Sequence, residues 1–270
     1  MTKDEYAKIN VERKDGGFRW YRIKQIGCFD VCDTGTSWKP SVTTILNVIA
    51  KGIGFDQWMG NQPSYKAACE ERDVAGKRGT IVHESIEKLL KGEEVEAPNE
   101  EISKHLMCFK KFYDENDIEV LDQEIFLISP DYGFAGTPDL ICKTSGKTWL
   151  IDYKTGNQYK THPLQCRMYA LLYEAIFGIE IDCIAGLYTK STWIKEPNYT
   201  LKRFVYTDKA KEKYDACIEG AVALWNYTNG TAKLADPYPK DKPNIETIFK
   251  LGGKTNGNQE QKMEVARSDF

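Results

Sequence analysis

Between Gly136 and Lys154 the chain reads GTPDLICKTSGKTWLIDYK, two short apolar runs joined by a polar turn. Trp149, Leu150 and Ile151 read as a buried strand, and a strand's period of two then puts Asp152 and Lys154 on one face. The segment Phe134–Lys143 reads as its neighbour, turning at Thr144-Ser145-Gly146-Lys147, so that Asp139 can lie beside Asp152 across the pair. Two carboxylates and an ammonium thus meet at the tips of two adjacent strands. A divalent cation bound by both carboxylates would remove their repulsion, and the lysine could then hold and polarise a water next to a phosphate. The plain alternative is a solvated hairpin with a surface ion pair.

The pattern around this hairpin is helical, then strand-rich, then helical. Residues 6–26 alternate around Phe18, Trp20, Tyr21 and Ile23, with a turn at Lys14-Asp15-Gly16-Gly17, and read as a β-hairpin. Ser41 precedes Val42, Ile45, Leu46 and Ile49 and can cap a short helix ending near Gly52. Helical spacing runs from Phe55 to Gly92, with breaks at Asn61–Ser64 and near Gly76, and Asn99 caps a helix with Ile102, Leu106, Phe109 and Tyr113 on one face. Residues 118–128, 133–143 and 147–154 read as three successive strands, followed by a helix from His162 to Gly178 and strands at 181–189 and 200–206. Asp208 caps a last helix ending at Gly230. This order predicts an α/β fold, a central mixed β-sheet flanked by helices with an N-terminal hairpin and helical region. One domain is expected over 1–251, divided into hairpin and helices at 1–117, a core at 118–207 and C-terminal helices at 208–251. The segment 252–270, rich in Gly, Asn, Gln and charge, reads as a disordered tail.

Asp139 followed by Asp152-Tyr153-Lys154 resembles the active-site pattern of the PD-(D/E)XK nuclease superfamily: Asp, then Asp or Glu, any residue, Lys. Gly79-Thr-Ile-Val-His83 upstream and Gln165-Cys-Arg-Met-Tyr169 downstream resemble the G-x-x-x-H and Q-x-x-x-Y signatures of its RecB-like branch, which includes CRISPR-associated and phage exonucleases. Pro40-Ser-Val-Thr-Thr-Ile-Leu46, followed by Trp58, is similar to the N-terminal segment of the mitochondrial genome maintenance exonuclease and of small phage exonucleases.

The resemblance implies a restriction-endonuclease-like core that uses Mg²⁺ or Mn²⁺. It makes Asp139 and Asp152 metal ligands, with the Tyr153 carbonyl also able to face the ion. Lys154 becomes the group that orients water or stabilises the charge gathering on the phosphorus oxygens. Glu124 matches an acidic residue that many members carry and reads equally as an exposed strand glutamate. For His83 the resemblance implies a metal ligand, whereas its apolar neighbours Ile81, Val82 and Ile86 suit a packing residue. Gln165 and Tyr169, one helical turn apart, would position the lysine or the substrate strand. Ser41 and Thr43 sit at a helix N-terminus that suits a phosphate, though capping explains Ser41 as well. Lys77, Arg78 and Arg167 are candidate phosphate contacts, and Trp58 and Tyr65 candidate base-stacking platforms.

Composition bounds the rest. The 270 residues are 41% hydrophobic and 29% charged, and no run of eighteen apolar residues occurs. The N-terminus MTKDEYAKIN has neither a signal-peptide core nor an Arg-rich transit pattern, so a soluble, cytoplasmic protein of a bacterium or phage-infected host is expected. Eight scattered cysteines read as free thiols of a reducing compartment. No iron–sulfur cluster is expected, because the chain has no closely spaced C-terminal cysteine trio, and Cys28-x-x-x-Cys32 lacks a second pair at metal spacing. A net charge of −3 does not exclude nucleic acid, since a nuclease that releases its product needs only a local basic path.

The expected activity is therefore a metal-dependent DNA exonuclease acting near strand ends, with single strands preferred and replication or recombination proteins as possible partners. A structure- or sequence-selective endonuclease and a non-catalytic DNA-binding or assembly subunit are the alternatives. Charge repulsion further implies that removing Asp139 or Asp152 should raise the melting temperature of the metal-free protein slightly.

Overall fold

Thr2 opens the described chain with a capping box. Its hydroxyl accepts the Glu5 N–H while the Glu5 carboxylate accepts the Thr2 N–H, which starts α1 (Lys3–Tyr6). Strands β1 (Asn10–Lys14), β2 (Trp20–Gln25) and β3 (Lys39–Pro40) form an antiparallel sheet in that order. Ser41 caps α2 (Val42–Leu46), which ends sooner than the spacing predicts as the N–H groups of Asn47, Val48 and Ile49 turn to the carbonyls three residues back; Gly52, at φ 92°, then opens α3 (Ile53–Gly60). Helix α4 (Tyr65–Leu90) runs unbroken through Gly76, and α5 (Glu100–Glu115) starts at Asn99, whose side chain accepts the Ile102 N–H. The break expected at Gly76 does not occur: one glycine costs a helix only about 1 kcal/mol, and the turns on either side continue across it. Strands β4 (Glu119–Gln123), β5 (Leu127–Ile128), β6 (Ala135–Gly136), β7 (Leu140–Thr144) and β8 (Lys147–Lys154) follow, then α6 (His162–Phe177), β9 (Cys183–Thr189), β10 (Tyr199–Arg203) and α7 (Asp208–Asn229). This computed structural model describes residues 2–7, 9–15, 18–25, 38–129 and 131–229. The Gly16-Gly17 turn, Cys28, Cys32 and everything from Gly230 onward, including the expected tail, lie outside the described residues.

The central sheet has the order β10-β9-β8-β7-β4 and is mixed: β8 and β9 are parallel, joined through α6, and the other pairs are antiparallel. Alternation along β8 divides the interior. Leu150 joins Ile141, Ile184, Met168, Leu172 and Val42 on the side of α6 and α2, while Trp149, Ile151 and Tyr153 join Val82, Ile86, Phe109 and Phe112 on the side of α4 and α5. Among the α5 residues expected to face the core, Tyr113 is exposed and Phe112 takes its place.

Two of the three strands expected between 118 and 154 are in fact divided. β4 stops at Gln123 because Glu124 takes a left-handed conformation, φ 46°. Pro138, without an N–H to donate, ends the following strand, and the short β5 and β6 pair with each other apart from the main sheet. Among the described residues no helix is long and apolar enough to cross a membrane.

Candidate active site

Strands β7 and β8 are joined through Ser145 and Gly146, both at positive φ, which is the geometry of a tight hairpin turn. The register pairs Leu140 with Ile151, so Asp139 and Asp152 face each other one step further on, as the spacing predicts. Both carboxylates are almost fully buried, at 6% and 2% exposure. Such burial demands partners, and each has them.

Asp139 Oδ2 accepts the Tyr153 N–H at 2.5 Å, and Oδ1 lies 3.1 Å from His83 Nδ1. Tyr153 thus enters the site through its N–H, while its ring stands edge-on to His83 and Phe109 on the opposite face of β8. Asp152 forms an ion pair with Lys154 and accepts the Gln165 side-chain amide at 3.0 Å. The same glutamine accepts the Lys154 ammonium at 3.1 Å and donates to the Tyr169 hydroxyl at 3.3 Å. The Q-x-x-x-Y spacing therefore places both side chains on the face of α6 that covers Lys154.

Glu124 completes a second group. Its N–H donates to the Asp139 carbonyl at 3.2 Å, and its left-handed backbone turns the carboxylate toward His83, at 3.9 Å. One donor atom each from His83, Glu124 and Asp139 lie within 4.8 Å of one another, two carboxylate oxygens and an imidazole nitrogen, a donor set that suits a hard divalent cation. Glu124 therefore stands in a left-handed turn beside His83 and Asp139, and not in an exposed strand. Asp152 faces the lysine and glutamine instead of this trio.

The electrostatics follow from the crowding. Burial and the charge of Asp139 push the Glu124 carboxyl up to about 8. Burial likewise raises Asp152 to about 6, against the pull of Lys154. Burial also works on Asp139, yet His83 and Lys154 hold it below the usual carboxylate range. For His83 burial is outweighed by Asp139, and its pKa rises to about 9. Burial opposes the charge on Lys154, but Asp152 and Asp139 keep its ammonium protonated. The imidazolium of His83 and the ammonium of Lys154 together supply the positive charge among these carboxylates.

The remaining candidates divide. Ser41 Oγ is buried and bonded within its own cap, accepting the Thr44 N–H at 3.0 Å and meeting the Thr43 and Thr44 hydroxyls, while Thr43 is exposed on the same five-residue helix. This cap forms the wall behind Gly136. A Cβ on Gly136 would collide with Tyr169 Cε1 and stand 3.1 Å from Val42 Cγ2, so only glycine lets β6 close against α6 and α2. Arg167 is not a phosphate contact. It is buried and bonded to Asp215 at 2.8 and 2.9 Å, to Glu174 and to the Tyr206 hydroxyl, which ties α6 to α7. Lys77 is exposed, and Arg78 lines the site cleft while binding Glu101 at 2.8 Å. Tyr65 is 73% exposed at the start of α4, and Trp58 packs on Phe55.

His162, absent from the motifs, also lines this cleft, with Nδ1 2.6 Å from the Tyr188 hydroxyl. Its position one turn before Gln165 on the same helix was the available signal.

Fold and site together resemble a nuclease core of the PD-(D/E)XK type. Residues 109–228 match the family model of the PD-(D/E)XK nuclease superfamily, a segment that contains Glu124, Asp139, Asp152, Lys154, Gln165 and Tyr169. His83 lies before it. Similar solved structures include an alkaline exonuclease (LHK-Exo) from Laribacter hongkongensis, 13% identical over 70% of this chain and 89% of that one, with a TM-score of 0.37. The same exonuclease in complex with dAMP is 14% identical over the same shares, with a TM-score of 0.37. A third is SSO0001, 16% identical over 69% of this chain and 75% of that one, with a TM-score of 0.32. These likenesses are distant. No curated protein matches the chain.

Proposed function

We propose that this chain is a DNA exonuclease that uses Mg²⁺ or Mn²⁺, works from strand ends and prefers single strands. The observation that carries the nuclease reading is the juxtaposition of two sets of groups at one strand tip: the donors His83, Glu124 and Asp139, and the linked Asp152, Lys154 and Gln165. When bound, a divalent cation supplies Lewis-acid polarisation of a phosphate oxygen and a lowered pKa for water. His83, Asp139 and Glu124 would hold it, with Asp152 the next carboxylate in reach along the hairpin. Lys154, charged and fixed by Gln165, presents an ammonium to the cleft where charge develops on phosphorus oxygens. Tyr169 braces Gln165 from behind.

The preference for ends and single strands is supported by the resemblance of Pro40–Leu46 and of the Gly79–His83 and Gln165–Tyr169 motifs to exonuclease segments. Action in the cytoplasm of a bacterial or phage-infected cell, beside replication or recombination proteins, suits the free cysteines among the described residues. We treat residues 1–251 as one nuclease domain.

The test is digestion of end-labelled linear and covalently closed circular DNA, single- and double-stranded, with Mg²⁺ or Mn²⁺. Release of short products from linear single strands, with circles spared until nicked, is expected. Lys154→Ala, which keeps the donor trio, should be slower by at least ~10²-fold. Rapid cutting of intact circles would make the protein an endonuclease, and no cleavage of any substrate would make it a binding or assembly subunit.

A further inference from the structure

The cleft beside Lys154 continues into a second depression. The first has a volume of about 330 Å³ and the second about 490 Å³, and they share Ala75, Arg78, Gly156, Asn157 and Tyr159 in their walls. The outer depression lies between α3, the first half of α4 and the loop after β8. Its lining includes Phe55 and Trp58, whose ring centroids are 5.5 Å apart at a tilt of 34°.

These rings are not explained by packing, because α3 buries none of its residues and both rings stay half-exposed. Lys51 Nζ stands 4.6 Å from the centre of the Phe55 ring. Burial and the neighbouring charge of Arg72 both lower the Lys51 ammonium, which marks Lys51 and Arg72 as cations held close together. The lining contains Lys51, Arg72 and Arg78 against the single carboxylate of Glu71, in a chain whose net charge is −3. At the junction of the two depressions Arg78 binds Glu101 through Nη1, and its Nε is buried with no partner among the described residues.

We infer that this groove binds unpaired DNA leading to or from the Lys154 cleft. Phe55, Trp58 and Tyr159 stack its bases, and Lys51, Arg72 and Arg78 hold its phosphates. The inference rests on the nuclease reading for the identity of the ligand. An aromatic platform needs a base with a free face, and within a duplex both faces of each internal base are covered by its neighbours. Stacking platforms with interspersed cations are the chemistry of single-strand binding. The groove thus favours a single strand or a frayed end.

The experiment measures the anisotropy of a fluorescein-labelled oligothymidylate bound to the full chain without metal, so that nothing is cleaved. The double variant Phe55→Ala/Trp58→Ala should bind it about 10–100-fold more weakly. Trp58→Tyr, which keeps a stacking face, should stay near the parent. Lys51→Gln/Arg72→Gln should flatten the log–log salt dependence by about 0.7 for each phosphate that is no longer neutralised. All variants should hydrolyse bis(p-nitrophenyl) phosphate with Mn²⁺ at the parent's rate, because none touches the donor trio or Lys154.

Unchanged oligothymidylate affinity in the alanine variant overturns the groove while leaving the nuclease reading intact. Equal competition by a blunt duplex overturns the claim of an unpaired strand. A parent that binds the oligothymidylate in an aromatic-dependent way but hydrolyses neither diester nor DNA supports the groove and overturns the nuclease reading. No binding by the parent overturns the groove.

Discussion

Asp139 and Asp152 occupy equivalent places on paired strands, yet their surroundings give them opposite effects on stability. Asp139 receives the Tyr153 N–H and the His83 imidazole, and its lowered pKa means that its charged form is favoured in the folded chain. Asp152 is raised to about 6 by burial, so at neutral pH the folded chain carries its charge at a cost. Repulsion alone predicts that removing either carboxylate raises the metal-free melting temperature, and the geometry reverses this for Asp139. Asp139→Ala leaves a buried N–H and an imidazolium without their acceptor and should lower stability by about 2–3 kcal/mol. Asp152→Asn keeps an acceptor for Gln165, drops a strained charge and should melt at or slightly above the parent. Urea midpoints in EDTA measure both, and a drop of equal size in the two would contradict this division of roles. Both variants should abolish DNA cleavage.

At the scale of elements, β6 shows how tightly the site is built. Gly136→Ala would drive a methyl group into Tyr169 and Val42, an overpacking that costs about 1–3 kcal/mol. Because Tyr169 bonds Gln165 and Gln165 holds Lys154, the expected outcome is a fall in turnover with Mn²⁺ affinity unchanged, read by DNA cleavage beside a metal titration. A shifted metal titration would show that the disturbance reached His83 and Glu124 instead. What could be read in advance at this scale was whatever is encoded locally. Asn99 and Gly178 mark helix ends through a side-chain cap and a left-handed residue, and the Trp149–Ile151 run marks a strand buried on both faces. The division of the preceding strands was less legible, because it depends on Glu124 adopting a left-handed backbone that no local residue type requires. Arg167 was misread for a related reason. Its partners Tyr206, between β10 and α7, and Asp215, on α7, lie on the far side of β9 and β10 in sequence, and only the return of that segment against α6 brings them to it.

For the molecule as a whole, acid acts in two directions: the raised carboxyls of Glu124 and Asp152 gain stability as pH falls through 8 and 6, while buried neutral histidines lose it. His162 is driven down to about 3 by burial and by Lys154, and burial also lowers His105, whose Nδ1 is bonded to Thr189. The unfolded chain protonates both near pH 6.5 while the folded chain does not, so stability is full above that pH and drains away as pH falls toward the folded values. For His162 alone the loss by pH 4 is on the order of 3 kcal/mol. His83, raised to about 9, works in the other direction: its contribution is complete below pH 6.5 and disappears as pH climbs through 9. His162→Gln should therefore shift the pH 4 urea midpoint, taken relative to that at pH 7, upward from the parent's (about one proton fewer taken up on unfolding). An unchanged difference between the two pH values would remove His162 from this balance. The alternation along β8 carries a further consequence, for how this chain can change in length. Leu150, Asp152 and Lys154 look toward α6 while Trp149, Ile151 and Tyr153 look toward α4 and α5. One codon gained or lost inside β8 would exchange the two sets, sending the carboxylate and ammonium into the aromatic cluster and the tryptophan to the catalytic side. A residue gained in the linker between β9 and β10 exchanges no faces of the sheet and would instead be felt where Trp193 and Glu196 tie that linker to α5.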